Sequence, residues 1–263
     1  MEILVTNDDG FQSPPLLVLC SLLSKKHTVK VVAPANEQSG IGQAISLNQS
    51  LTYKGIDWYE YPVYLVSGTP SDCVKLAVCH LFEDQKFDLV LSGPNTCENA
   101  GLSTLYSGTV AGAREGATWG IPSIALSVWD DEIEKIEYAA GWMAGLLEKP
   151  GLLDFPPGVF WSINFPDSRP QEIAGVKIAH MSTAMFKDHY QEYTTPRGVP
   201  EYWLTGAKRR EQFEEGSDDL FLLRKNITIT PLHLNQTCVQ EKDRLFPLLN
   251  EFMALQESKQ GTP

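Results

Sequence analysis

No stretch of the 263-residue chain is apolar for long enough to cross a bilayer as a helix, so no membrane association is expected. The chain opens directly on a strand pattern, with neither a basic segment nor an apolar h-region, and no signal peptide is expected. C-x-x-C pairs are also missing. The five cysteines, Cys20, Cys73, Cys79, Cys97 and Cys238, are odd in number and scattered. That argues against a disulfide framework or a zinc–thiolate centre and suggests a reducing cytoplasm. Basic clusters are scarce. Lys and Arg occur in short pairs such as Lys25-Lys26 and Arg209-Arg210, against a formal net charge of −12. Such a surface repels polyanions, so no nucleic acid polymer is expected as a partner. No G-x-G-x-x-G follows the first apolar run, which disfavours a dinucleotide cofactor. Internal repeats and low-complexity segments are absent. What is present suits a folded globule: 43% hydrophobic and 10% aromatic residues can fill the core of one large α/β domain or two modest ones.

The first ten residues organise the rest. Ile3, Leu4 and Val5 are a short, partly β-branched apolar run, followed by Thr6, Asn7, Asp8, Asp9 and Gly10. So short a run, bounded by polar residues and Gly, predicts a buried strand. Asp8 and Asp9 then lie just past its carboxyl end, where open parallel sheets bind ligands. Two adjacent carboxylates repel, which raises one pKa or calls for a cation between them. A hard divalent ion suits oxygen donors. An Asp-Asp-Gly turn exposed to solvent accounts for the same residues without a metal.

Downstream, strands and helices alternate. Leu16, Leu17, Leu19, Cys20, Leu22 and Leu23 recur at helical spacing in Pro14–Lys26, with Ser13 as the N-cap. Val29–Ala33 is a second strand, and Ser39-Gly40 lies in the polar loop beyond it. Ile41–Tyr64 reads as a hairpin excursion. A third strand ends at Leu65-Val66-Ser67-Gly68. Thr69-Pro70-Ser71-Asp72 then carries the cap, first-turn proline and capping-box acid of a helix start. Cys73, Cys79 and His80 on that helix read as packing residues. Phe87–Leu91 is a fourth strand, leading into a loop with Asn95 and Asn99. Ser107-Gly108-Thr109 opens another helix, whose free N–H groups and hydroxyls make an anion site. Strands over Ile121–Val128 and Val159–Asn164 flank a helix over Glu132–Glu148. This order predicts a three-layer, mostly parallel sheet. Past Gly175 the pattern changes. Gly175–His180 is a strand, residues 182–225 show no helical period, Ile227–Thr230 is a strand, Asp243–Leu255 a helix, and Gln256–Pro263 a frayed tail.

Several strand ends thus present Asp8 and Asp9, Ser39, and Asn95. Two carboxylates, a hydroxyl and an amide make an all-oxygen set for one Mg²⁺ or Mn²⁺. Such an ion polarises a phosphoryl oxygen and lowers the pKa of a bound water. Attack by Asp8 or Asp9 itself, through an acyl phosphate, is the other route. Water is preferred because both carboxylates serve as ligands. His180, His189 and His233 are candidates for a general acid.

The sequence resembles the SurE (survival protein E) nucleotidases. The matching stretches are Asn7-Asp8-Asp9-Gly10, Val32-Ala33-Pro34 with Gln38-Ser39-Gly40, and Gly68-Thr69-Pro70-Ser71-Asp72-Cys73-Val74. Ser92-Gly93 through Asn95 and Asn99, Tyr106-Ser107-Gly108-Thr109-Val110, Asn164-Phe165-Pro166 and Thr230-Pro231-Leu232 follow in family order. The resemblance implies a divalent-metal phosphomonoesterase acting on nucleoside 5′- and 3′-monophosphates, with short polyphosphate as a further substrate. It implies one Mg²⁺ or Mn²⁺ per subunit, held by Asp8, Asp9, Ser39 and Asn95. Asp8 and Asp9 are then the catalytic pair, and Asn99, Ser107, Gly108 and Thr109 the phosphate contacts. It also implies a Rossmann-like catalytic core over residues 1–180. Residues 181–263 become a C-terminal extension of hairpin, return strand and terminal helix, used in forming a homodimer or homotetramer. Cys97, Ser103 and Pro15 stand where the family usually has Gly, Asp and Gly. A non-catalytic metal- and nucleotide-binding protein of the same fold is the alternative, and a redox flavoprotein of similar topology a third reading.

Overall fold

Strand β1 (Glu2–Thr6) buries Ile3, Leu4 and Val5 completely. The computed structural model describes residues 1–57 and 59–260, with the backbone alone for 251 and 254–260. Helix α1 (Pro14–Leu23) and strand β2 (Thr28–Pro34) follow. Next come β3 (Tyr53–Ile56), β4 (Val63–Val66) and α2 (Pro70–Leu76). Then β5 (Leu89–Asn95), α3 (Gly108–Thr118), β6 (Ser123–Ser127), α4 (Ile133–Leu147) and β7 (Val159–Asn164) alternate. The chain continues through β8 (Gly175–Ile178), β9 (His189–Thr194) and β10 (Pro200–Thr205). It closes with α5 (Asp218–Leu223), β11 (Asn226–His233) and α6 (Val239–Gln260).

Nine strands form one sheet in the order β3-β4-β2-β1-β5-β6-β7-β11-β8. β1 runs parallel to both β2 and β5. The pairs β2–β4, β5–β6, β6–β7 and β11–β8 are also parallel, while β3 returns antiparallel on β4 as the expected hairpin. The chain moves outward from β1 through β2 to β4, then crosses back to place β5 on the other side of β1. Strand order therefore reverses between β1 and β5. The crevice beyond their carboxyl ends is where such sheets bind ligands.

Period-2 alternation sends side chains to two cores. Ile3, Val5, Leu89 and Leu91 pack with Leu16, Leu19 and Leu23 of α1 and Ala140 and Met143 of α4. Leu4, Val32, Val66 and Val90 face the other way, onto Cys73, Val74 and Ala77. α3 packs beside α2 on that second face, against β5 and β6. The predicted three-layer, mostly parallel architecture is the observed one.

Local differences have physical causes. α1 ends at Leu23 because Ser24 caps it and Lys26 and His27 fold back onto the Leu23 carbonyl. Ser13 stands at its N-cap but makes no side-chain cap bond. Cys73 is buried as expected, whereas Cys79 and His80 are exposed in a π-helical turn over Ala77–Leu81. β5 runs on to Asn95, with Gly93 and Pro94 of β5 set against Leu126 alone of β6 between Ser92 and Asn95, a bulge that re-aims the strand end. Residues 189–205 form an antiparallel hairpin that stands nearly clear of the protein, most of it exposed on both faces. A ribbon solvated on both sides has no reason to alternate, which is why no period shows in its sequence. Two compact units are present, Met1–Leu232 and His233–Pro263. Helix α6, longer than expected, belongs to the second and exposes Leu245, Phe246, Leu249 and Phe252. The helix backbone runs through Gln260, and the remainder of the expected frayed tail lies outside the described residues. Among the described residues no helix is long and apolar enough to cross a membrane.

Candidate active site

At the end of β1 the chain turns tightly, and the Asn7 side-chain amide donates to the Gly10 carbonyl at 2.7 Å. Asp8 is only 4% exposed. Its Oδ1 accepts a bond from the hydroxyl of Thr109, 101 residues away at the start of α3. Burial pushes the Asp8 carboxyl above its usual range, and the hydroxyl and backbone N–H of Thr109 oppose that by stabilising the anion. The helix start itself is set by Ser107, whose Oγ accepts from the Val110 N–H at 3.0 Å. Gly108 makes the approach possible. A Cβ there would lie 2.8 Å from the Asp8 Cβ and 2.9 Å from its Oδ2. α3 thus aims its positive end at a buried carboxylate, which favours the charged form.

Asp9 differs from its neighbour. Its Oδ2 is buried with no hydrogen-bond partner among the described residues. Burial first, and then the charges of Asp8 and Glu37, push its carboxyl up to about 7. The Ser39 loop is tied to the same spot, since the Gln38 N–H donates to the Asp8 carbonyl at 2.7 Å. Ser39 itself is exposed and donates its hydroxyl to Glu37 at 2.7 Å. Asn95, at the end of β5, donates its Nδ2 to the Cys97 carbonyl at 2.8 Å. That bond identifies the donor end of the amide, and Oδ1 makes no hydrogen bond among the described residues. Asp9, Glu37, Asp130, Asp131, Thr96 and Pro15 line an open cleft of about 460 Å³. Among the described residues no three His, Cys, Asp or Glu side chains cluster tightly enough to hold a metal. Any cation here would therefore need neutral oxygens beside the two carboxylates. The geometry brings Asp8 against Thr109 and Gly108 and sets the Ser39 loop on Asp8.

Asn99 is placed differently from the open loop position its sequence suggests. It is buried, with its N–H donating to Asn164 Oδ1 at 2.7 Å and its Nδ2 to Ser127 Oγ at 2.9 Å. Asn164 and Ser127 end β7 and β6, so Asn99 knots the loop to two neighbouring strand ends. Cys97 is not among the residues of positive φ, so the loop takes a side chain there without strain. Burial, followed by Glu98, Asp9, Asp8 and Asp130, holds its thiol above the usual range. Pro15 lies in the first turn of α1, and Ser103 in a short 3-10 turn over Gly101–Leu105. The three histidines bond elsewhere: His189 to Thr205, His180 beside Glu214, and His233 to the Asn235 N–H.

One structural feature beside the site escaped the sequence. Asp218 accepts from the Gly101 N–H at 2.8 Å and from the Ser182 N–H at 2.9 Å. Beside it, Asp219 pairs with Lys208 at 2.7 Å, and Lys208 also donates to the Ala100 carbonyl at 2.8 Å. This buried clamp fastens residues 182–219 onto the loop between Asn99 and Ser107. Ser217-Asp218-Asp219 is also an acidic helix start, with Ser217 capping α5, in a segment where the sequence showed no helical period.

A doubly wound α/β sheet, with a carboxylate pair at its switch point and a helix N-terminus closing on it, defines the class as a doubly wound α/β protein with a candidate site at its strand ends. The family profile described as Survival protein SurE matches residues 3–188, and the chain belongs to that family. A protein of Thermus thermophilus named 5'-nucleotidase SurE 1 is 41% identical over 241 residues, covering 90% of this chain and 93% of the relative. One of Thermosipho melanesiensis named 5'-nucleotidase SurE is 38% identical, covering 93% and 96%. The crystal structure of the SurE protein from Aquifex aeolicus superposes with a TM-score of 0.80 at 34% identity, covering 94% of this chain and 99% of that one.

Proposed function

We propose that the protein is a divalent-metal-dependent phosphomonoesterase hydrolysing nucleoside 5′- and 3′-monophosphates, with short polyphosphate as a further substrate. The observation that carries this reading is the partnerless buried Oδ2 of Asp9 beside Asp8, in a cleft that also holds Glu37, Asp130 and Asp131. A dianionic phosphate is repelled from such a cleft until a cation neutralises it. The nucleotidase names of the relatives support the nucleotide as substrate.

Asp8, Asp9, Ser39 and Asn95 would hold one Mg²⁺ or Mn²⁺ per subunit, and the residues fit. All four offer hard oxygen donors, and Asp9 has one still unused. When bound, the cation supplies Lewis acidity toward a phosphoryl oxygen and lowers the pKa of a coordinated water. Asp8 and Asp9 are catalytic as the anionic pair that holds it. Thr109 fixes the Asp8 carboxylate, so that carboxylate needs no reorganisation during turnover. Ser107 accepts from Val110 and keeps its own hydroxyl proton to donate to phosphate. The Gly108 N–H at the first turn of α3 adds a second donor. Asn99 gives one amide hydrogen to Ser127 and has a second for a phosphate oxygen. A homodimer or homotetramer belongs to the same reading, supported by the exposed apolar residues of α6.

The test is phosphate release from 5′-AMP and 3′-AMP with Mn²⁺, with Mg²⁺ and with EDTA. Release restored by metal and abolished by EDTA is expected, and Asp8→Asn should lower it by more than about a hundredfold. Absence of release with any metal, or release indifferent to EDTA, rejects the reading.

A further inference from the structure

The acidic cleft shares a partition with a second cavity. Thr96 and Asp130 line the cleft with Asp9, while Glu98 and Trp129 line a neighbouring cavity of about 370 Å³. The partition is held together by the Asp130 N–H, which donates to the Thr96 carbonyl at 2.9 Å. Trp129, Phe165, Phe186 and Phe213 supply the walls of the second cavity. Its size and its aromatic walls, with charged groups at one side, are those of a small-molecule site.

The lining carries one more carboxylate than cation. Lys208 and Arg210 face Glu98, Asp167 and Asp219. Lys208 is already engaged by Asp219 and by the Ala100 carbonyl. The cavity is therefore unsuited to a second phosphate and suited to a flat, uncharged group. Its walls are preformed. Phe165 is held edge-on by Trp142, with ring centres 5.5 Å apart, and Phe186 lies under the Lys208 ammonium at 5.8 Å. Trp129, 38% exposed, presents a large aromatic surface that the protein itself leaves uncovered.

We infer that this cavity takes the nucleobase, a flat heteroaromatic ring packed on the aromatic walls beside Glu98, while the phosphate lies on the Asp9 side of the partition. The inference rests on the phosphatase reading. Thr96 on the cleft side and Glu98 on the cavity side are two residues apart, and Asp130 and Trp129 are adjacent, so the two sites adjoin as the phosphate and base of one mononucleotide do. Specificity for nucleotides over other phosphomonoesters then resides in Trp129 and Phe213, outside the cluster that handles phosphate.

The experiment uses the full chain and the variants Trp129→Leu and Phe213→Leu. KM and kcat are measured for 5′-AMP and for ribose 5-phosphate, which lacks a base, and adenosine binding is measured by equilibrium dialysis without turnover. Each variant should raise KM for 5′-AMP about tenfold, the size of one base–aromatic contact. It should raise that for ribose 5-phosphate less than twofold and weaken adenosine binding in step. Equal effects on both substrates, no effect on either, or a changed oligomer mass with unchanged KM would overturn the base site. Trp129 is exposed, so Trp129→Leu carries the test if Phe213→Leu does not fold. Adenosine binding that Trp129→Leu weakens, without phosphate release from any substrate, leaves the base site standing and removes the phosphatase. Phosphate release with equal KM for 5′-AMP and ribose 5-phosphate does the reverse.

Discussion

Asp9→Asn should make the metal-free protein more stable and less active at once. The Asp9 carboxyl is raised from 3.8 to about 7 by burial, with Asp8 and Glu37 adding repulsion. The folded state thus binds this proton more tightly than the unfolded chain does. Between those two values stability falls as pH rises, because the unfolded state is the one that releases the proton first. Below pH 4 the group is neutral in both states and costs nothing. Above pH 7 its full penalty is present. At face value the shift is worth roughly 4 kcal/mol. Asp9 is half-buried, and solvent screening reduces the figure to about 2 kcal/mol. Asn keeps the shape and removes the charge. The variant should therefore melt about 4–8 °C above the native chain at pH 8 in EDTA, with no difference near pH 4. Added Mn²⁺ should stabilise the native chain and leave the variant nearly unmoved, since the variant has lost a ligand. Thermal melts at the two pH values, with EDTA and with Mn²⁺, make the comparison. A variant no more stable than the native chain at pH 8, or equally stabilised at both pH values, would refute the reasoning.

Gly108→Ala places a methyl within 2.8 Å of the Asp8 Cβ. It should cost about 1–3 kcal/mol by overpacking and slow phosphate release roughly a hundredfold through misplacement of Asp8, read by denaturant titration and by turnover. Lys208→Met leaves the buried Asp219 carboxylate without its 2.7 Å partner. A loss of about 3–5 kcal/mol is expected in thermal melts at pH 7, whereas Arg224→Met, which breaks the exposed pair with Glu215, should leave the melting temperature nearly unchanged. Thr69→Ala removes the capping box of α2 and the bond to the Ala44 carbonyl. It should lower stability by about 1–2 kcal/mol, seen as a lower urea midpoint at unchanged slope.

The alternating core was legible because burial is written locally. Ile3, Leu4 and Val5 announce a strand, and Thr69-Pro70-Ser71-Asp72 a capped helix, since both signals depend on residues within a few positions of each other. The position of Asp8 and Asp9 at a strand's carboxyl end follows from the same local reading. By itself, then, the sequence determined the layer architecture and which rim of the sheet carries the two aspartates. Tertiary structure decided how two adjacent aspartates come to differ. Thr109 reaches Asp8 across 101 residues, while Asp9 is left with an unpaired oxygen. It also decided that Asn99 is a buried knot to Asn164 and Ser127, and that Asp218 and Lys208 clamp a distant segment onto its loop. The hairpin of β9 and β10, largely exposed on both faces, and the aromatic cavity beside Glu98 likewise leave no periodic trace. The physical reason is common to all of these. Periodicity records which face of an element is buried, whereas hydrogen bonds and pockets between elements far apart in sequence depend on a register that appears only once the sheet has assembled.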